Sequence, residues 1–200
     1  MKNIVLFGGT FNPIHNGHIL CAQKSVEFLK ADRLIFIPTN IPPHKNIQSG
    51  FADSNHRINM CKLAIRGFSK FEISDFEIKR NKISYTIFTL EYFKSKFFNE
   101  QLFLLIGEDM FASFDKWKDY KKIFSLANIC VAYRNVESIY NKLSTLEEFR
   151  NQGAKISFIE NPIINISSTQ IRNKINNNED VSGLIDDNVL KYIKQHGLYL

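Results

Sequence analysis

The chain has 200 residues, 44% of them hydrophobic and 23% charged, with a formal net charge of +6. That length buries a full core in one domain, and its longest apolar runs, such as Leu102 to Ile106, fall far short of the roughly 20 residues of a membrane span. The basic excess is spread among acids, as in Glu77-Ile78-Lys79-Arg80 and Lys116-Trp117-Lys118-Asp119, with no arginine-rich arm, so a nucleic-acid partner is not expected. Short apolar runs then alternate with amphipathic segments, the pattern of a doubly wound parallel α/β sheet. In chain order the pattern predicts a strand at Asn3–Phe7, a helix at Asn16–Lys30, a strand at Arg33–Pro38 and a helix at Ser54–Gly67. A strand at Glu72–Ile78, a helix at Tyr85–Phe98, a strand at Gln101–Ile106 and a helix at Tyr120–Ser125 follow. The series closes with a strand at Ile129–Tyr133, a helix at Ser144–Gln152, a strand at Lys155–Phe158, and helices at Ser168–Asn176 and Asp187–Gln195.

Ile19, Ala22, Val26 and Leu29 form one stripe on the first helix, a core face by spacing. Pro42-Pro43 and the polar stretch Asn46–Asp53 mark a long loop after the second strand, of the kind that often carries function. Lys2 is followed by too short an apolar run for a signal peptide. Cys21, Cys61 and Cys130 are widely spaced and read as buried reduced thiols of a cytoplasmic protein.

The most informative stretch is Gly8-Gly9-Thr10-Phe11-Asn12-Pro13-Ile14-His15-Asn16-Gly17-His18. A strand that ends in paired glycines and restarts as a helix turns its N–H groups and the helix dipole toward one spot, which suits a phosphate. Two histidines three residues apart add donors on one face of that helix. The stretch has neither the Lys-Ser/Thr ending of a P-loop nor the third glycine of the dinucleotide fingerprint. A structural turn with surface histidines and a zinc site are the alternatives, but no third zinc ligand lies nearby. Ligands of such sheets bind beyond the carboxyl ends of the strands. The Gly8–His18 turn, the Pro38–Lys45 loop, Gly107–Asp109 and Arg134 all follow predicted strands, and so fall on that edge.

The stretch resembles the GGTFDPIHxGH signature of bacterial nicotinate-nucleotide adenylyltransferases, within the HxGH nucleotidyltransferase superfamily. Ile166-Ser167-Ser168-Thr169-Gln170-Ile171-Arg172 is similar to the ISSTxIR signature of the same superfamily. Pro42-Pro43-His44-Lys45, Ser84-Tyr85-Thr86, Gly107-Glu108-Asp109-Met110-Phe111 with Trp117, Arg134, and the ending Tyr192–Tyr199 also resemble family segments. The resemblance implies a single Rossmann-like nucleotidyltransferase domain over residues 1–200 with a short helical C-terminal part. It implies transfer of AMP from ATP to nicotinate mononucleotide, yielding deamido-NAD and pyrophosphate. Catalytic roles then fall to His15, His18 and Arg172, and ATP contacts to Gly8, Gly9, Thr10, Phe11, Lys45, Gly107, Ser168 and Thr169. The mononucleotide would meet Asn12, Tyr85, Thr86, Asp109, Trp117 and Arg134. Mg²⁺ would travel with ATP, without a protein ligand set. These residues do not set an oligomeric state.

Three positions depart from the family pattern: Asn12 replaces an aspartate, Phe88 stands where the helix after SYT commonly carries aspartate, and Glu108 occupies an often small position. Two other functions stay open at this point. A sister transferase would act on phosphopantetheine or nicotinamide mononucleotide. A non-enzymatic nucleotide or RNA binder would have no need of both histidines and Arg172.

Overall fold

The computed structural model describes residues 1–43, 50–133, 142–160 and 166–200. The strands are β1 (Asn3–Gly9), β2 (Arg33–Pro38), β3 (Phe71–Ile73), β4 (Gln101–Gly107), β5 (Asn128–Tyr133) and β6 (Ile156–Glu160). The helices are α1 (Asn16–Phe28), α2 (Ser54–Ala64), α3 (Phe76–Arg80), α4 (Thr86–Lys96), α5 (Glu108–Phe111), α6 (Tyr120–Leu126), α7 (Leu143–Asn151), α8 (Ser168–Asn176) and α9 (Asp187–Gln195).

The six strands run parallel in the order β3-β2-β1-β4-β5-β6. Each strand is an apolar run of period two, and the alternation sends its side chains into two cores. Val5, Phe7, Leu34, Phe36, Phe103 and Leu105 face the layer of α1, α2, α8 and α9. Ile4, Leu6, Ile35, Ile37, Leu104 and Ile106 face the layer of α4, α5, α6 and α7. The predicted stripe on α1 packs as expected, with Ala22 buried and Ile19, Val26 and Leu29 against the same core.

The chain order reverses between β1 and β4, and there the sheet opens. β1 pairs with β4 from Asn3↔Gln101 as far as Phe7↔Leu105 and no further, while Gly8 and Gly9 stay with Ile37 and Pro38 of β2. Beyond Phe7 the end of β1 no longer pairs with β4 before Gly107, and this parting is the switch point where such sheets bind ligands.

One predicted element is corrected. Glu72–Ile78 is not a single strand: β3 ends at Ile73, and the chain turns at Ser74-Asp75 into α3. The Phe76-Glu77-Ile78 alternation imitates a strand, but the buried member is the polar one, Glu77, at 4% exposure. Asp75 secures the short helix instead, its carboxylate 3.0 Å from Lys79 one turn later. Helix α5 and a 3₁₀ turn at Phe114–Lys116 were not expected as elements.

Candidate active site

The site is assembled at this switch point by β1, the turn after it, and the starts of α1 and α8. Gly8 leads with an open face: a Cβ placed there would meet no atom within 4 Å, so a ligand can approach the backbone. Gly9 has the opposite reason for being glycine. A Cβ there would lie 2.7 Å from the ring of Phe11. Phe11 adopts a left-handed backbone (φ 48°), and its ring anchors that conformation edge-on against Phe7 and Phe36 at 5.6 and 5.7 Å.

The two histidines are fixed relative to one another. Their rings stack at 3.7 Å between centroids, and His18 also meets the edge of Phe11 at 5.1 Å. The His15 backbone N–H donates to His18 Nδ1 at 3.2 Å. That bond makes Nδ1 the acceptor and leaves the proton of neutral His18 on Nε2, a donor at neutral pH. Gly17 eases the same packing, because a Cβ there would sit a tight 3.1 Å from the His15 ring. His15 is 7% exposed and His18 half-buried.

Helix α8 closes the site from a distant part of the chain. Ser167 caps it, accepting from the Gln170 N–H at 3.2 Å while Gln170 reaches back to the Ser167 N–H at 2.8 Å. Ser168 Oγ donates to the Pro13 carbonyl at 2.9 Å, and Arg172 Nη1 donates to the Asn12 carbonyl at 2.9 Å. Arg172 Nη2 also reaches Thr169 Oγ1 at 3.3 Å. The two signature segments thus meet directly across about 160 residues of sequence.

Asn12 points inward. It is 4% exposed, and its Oδ1 accepts from the Ala52 N–H at 3.1 Å and from the Tyr199 hydroxyl at 2.7 Å. The carboxamide oxygen, at the position where the family signature carries aspartate, takes two donors inside the protein. Arg57 supports the same loop from below. At 1% exposure it donates through Nη1 to the Thr10 carbonyl at 2.8 Å and through Nε to the Ala52 carbonyl at 3.1 Å. Burial depresses its pKa, with nearby Cys61, Tyr199 and Asp53 opposing the shift. Burial likewise pushes the Tyr199 hydroxyl well above the usual tyrosine range, so it stays a donor. Sequence reasoning overlooked Arg57, although it falls on one helical stripe with Met60, Cys61 and Ala64, all buried.

The other candidates lie around the opening. Tyr85 precedes the first turn of α4, Thr86 begins it, and both are half-buried. Lys118 Nζ lies 5.6 Å above the Tyr85 ring, which brings the Trp117 segment beside the start of α4. Trp117 stacks one ring face on Phe114 at 4.8 Å. Its indole Nε1 is buried with no hydrogen-bond partner among the described residues. Gly107 ends β4, and a Cβ there would come within 2.6 Å of Asp109 Oδ1, which folds back over it. Lys45 and Arg134 lie outside the described residues. Phe88, the departure from aspartate, has the Arg80 guanidinium 4.6 Å above its ring, a cation–π contact. Among the described residues no three His, Cys, Asp or Glu side chains converge to hold a metal, and no helix is long and apolar enough to cross a membrane.

Comparison with known proteins agrees with this geometry. Residues 6–174 match the cytidylyltransferase-like family model. A "probable nicotinate-nucleotide adenylyltransferase" of Clostridium tetani is 40% identical over 203 residues, covering 100% of both chains. One of the same name from Borreliella afzelii is 44% identical over 197 residues, covering 98% of this chain and 96% of its own. Nicotinic acid mononucleotide adenylyltransferase of Plasmodium falciparum, solved with NaAD, superposes with a TM-score of 0.82 at 21% identity, covering 100% of this chain and 98% of its own. That likeness establishes the Rossmann-like fold, and the sequence matches establish the kinship. The chain belongs to the nicotinate-nucleotide adenylyltransferases of the cytidylyltransferase-like family.

Proposed function

We propose that this enzyme transfers AMP from ATP to nicotinate mononucleotide, forming deamido-NAD and pyrophosphate, through the residues gathered at the β1–β4 switch point. A phosphate oxygen of the mononucleotide attacks the α-phosphorus of ATP. The bond from that phosphorus to the bridging oxygen breaks, and pyrophosphate leaves with the electron pair. The attacking oxygen is already anionic at neutral pH, so no general base is needed. Catalysis rests on in-line placement and on donors aimed at the charge that develops.

The observation that carries this reading is the His15 N–H to His18 Nδ1 hydrogen bond. It places the proton of a neutral His18 ring on Nε2, the nitrogen that would donate to a phosphate oxygen. His15 and His18 take the α- and β-phosphate oxygens. Arg172, Lys45, and the Ser168 and Thr169 N–H groups at the start of α8 hold the leaving pyrophosphate; those first-turn amides have no intrahelical acceptor. Because the Ser168 hydroxyl serves Pro13, its contribution comes from the backbone. Gly8, Gly9, Thr10, Phe11 and Gly107 shape the nucleotide cleft.

The acceptor side comprises Tyr85, Thr86, Asp109, Trp117 and Arg134, with Asn12 acting through the loop it holds. Backbone N–H groups at the start of α4 receive the nicotinate carboxylate, the half-exposed face of Trp117 takes the pyridine ring, and Arg134 takes the phosphate. ATP would bring Mg²⁺ with it, and the ion would supply neutralisation of charge on the triphosphate. A cytoplasmic setting belongs to the same reading, and the buried thiols Cys21, Cys61 and Cys130 fit it.

The test is pyrophosphate release from ATP against a panel of acceptor phosphates. Nicotinate mononucleotide is expected to give the highest kcat/KM. Preference for phosphopantetheine or nicotinamide mononucleotide would assign the chain to a sister transferase.

A further inference from the structure

Glu77 is the buried carboxyl group that the chemistry above leaves unused. It is 4% exposed and sits on α3, between the loop that leaves β2 and the start of α4. Thr89 Oγ1, on the first turns of α4, donates to its Oε1 at 2.6 Å. The hydroxyl of Ser84, itself 5% exposed, also favours the ionised carboxyl. Ser84 Oγ in turn accepts the Asn40 N–H at 2.9 Å, and the Ser84 N–H donates to the Ile41 carbonyl at 2.9 Å. Polar contacts therefore anchor both flanks of the start of α4, Ser84 to the carboxyl edge of β2 and Thr89 to Glu77.

The anchored residues bracket the segment that matters. Ser84 immediately precedes Tyr85-Thr86, and Thr89 follows them within one helical turn. With Thr89 held by the carboxyl and Ser84 held by the Asn40 N–H and the Ile41 carbonyl, the N–H groups between them have a fixed direction. Burying a carboxyl without a full set of donors is costly. Here Oε2 of Glu77 has no hydrogen-bond partner among the described residues, and neither has Nη1 of Arg80. A group kept at such a cost calls for a reason beyond filling space, since an apolar side chain would pack there without the penalty.

We propose that Glu77 is a positioning residue for the acceptor substrate: through Thr89 it orients the start of α4, and with it the Thr86 and Ile87 N–H groups that receive the acceptor's carboxylate, the Tyr85 N–H being taken by the Ile83 carbonyl at 3.1 Å. The inference rests on the acceptor assignment proposed above. Glu77 touches no substrate and acts through α4 alone, so the ATP half of the site does not depend on it.

The experiment compares wild type with Glu77→Gln, Glu77→Leu and Thr89→Val by steady-state kinetics, varying each substrate in turn, together with thermal melting. Glu77→Gln keeps one acceptor oxygen, Glu77→Leu keeps only volume, and Thr89→Val removes one donor from an intact carboxyl. KM for nicotinate mononucleotide is expected to rise about tenfold in Glu77→Leu and less in the other two. KM for ATP should stay within about twofold in all three, and selectivity over the nicotinamide form should fall in the same order. A purely structural role would lower melting temperature and disturb both KM values together, and that result overturns the proposal. So does an unchanged acceptor KM in the two conservative variants. Should wild type prefer a different acceptor from the panel, the acceptor assignment fails by itself. The same split is then read on that acceptor, and its presence or absence still decides the role of Glu77.

Discussion

Tyr199→Phe keeps the ring that fills the core and removes one hydroxyl, so its effect can be worked from the contacts around Asn12. The lost bond is the 2.7 Å contact to Asn12 Oδ1. That oxygen keeps the Ala52 N–H at 3.1 Å and is not orphaned. The cost is then that of one neutral hydrogen bond, about 0.5–1.5 kcal/mol, or about 1–6 °C in Tm for a chain of this size. Replacing Asn12 by aspartate turns the acceptor into a carboxylate with the same two donors. Removing the hydroxyl from that background should cost about 1.5–3 kcal/mol, as for a hydrogen bond to a charged group. Urea unfolding of wild type, the two single variants and the double variant closes the cycle. Coupling of about 1 kcal/mol is expected, with Tyr199→Phe the costlier change in the aspartate background. Coupling below about 0.3 kcal/mol, or an unchanged Tm in Tyr199→Phe, would refute the placement of Tyr199 as the clasp of the phosphate loop.

Other outcomes follow from the same geometry. His18→Ala should lower kcat by about 10²–10³, the loss of one preorganised donor, while circular dichroism and Tm stay near wild type because the ring is half-buried; a near-normal kcat contradicts the role. Arg172→Ala should raise KM for ATP or lower kcat and leave KM for the mononucleotide unchanged; the reverse pattern would exchange the two substrate sites. Arg57→Met removes two charge-assisted bonds to the Thr10 and Ala52 carbonyls but also the burial cost of the guanidinium. A net loss of about 2–4 kcal/mol in urea unfolding is expected, and unchanged stability would show the two effects to cancel. Burial raises the Glu77 pKa, with Thr89, Ser84 and Arg80 opposing the shift. Its neutral form is favoured on folding, so this stability is fully present below its ordinary value of 4.5 and is lost as pH rises through the folded value. Glu77→Gln should therefore gain Tm on wild type as pH rises above 4.5, until the folded carboxyl is ionised, and parallel curves for the two proteins would contradict that sign.

The sheet was legible because each strand of a covered parallel sheet is an apolar run, and those runs stand out between polar helices. Helices α8 and α9 match the sequence reading at both ends, since their caps, Ser167 and Asp186, are visible as residue types. Glu77 misled because a single Phe-Glu-Ile alternation fits a strand as well as it fits one turn of helix. The phosphate loop was readable from its glycines, whereas the reasons for each glycine differ and emerge only in three dimensions. Gly8 leaves room for a ligand, while Gly9 and Gly17 leave room for Phe11 and His15. The support beneath the loop was the hardest part to see. Arg57 reads as a surface charge until its stripe-mates Met60 and Cys61 are counted, and Tyr199 meets Asn12 across 187 residues with no local signal.

The most direct measurement is a competition in which the enzyme receives ATP with equimolar nicotinate and nicotinamide mononucleotides, and the dinucleotide products are quantified alongside pyrophosphate. In the proposed acceptor site the N–H groups at the start of α4 would favour a carboxylate, and the amide's NH₂ would face them without an acceptor. Each such mismatch costs about 1–3 kcal/mol, so deamido-NAD should exceed NAD by at least about tenfold, with one pyrophosphate released per dinucleotide. Comparable amounts of the two dinucleotides, or ADP in place of pyrophosphate, would contradict the account.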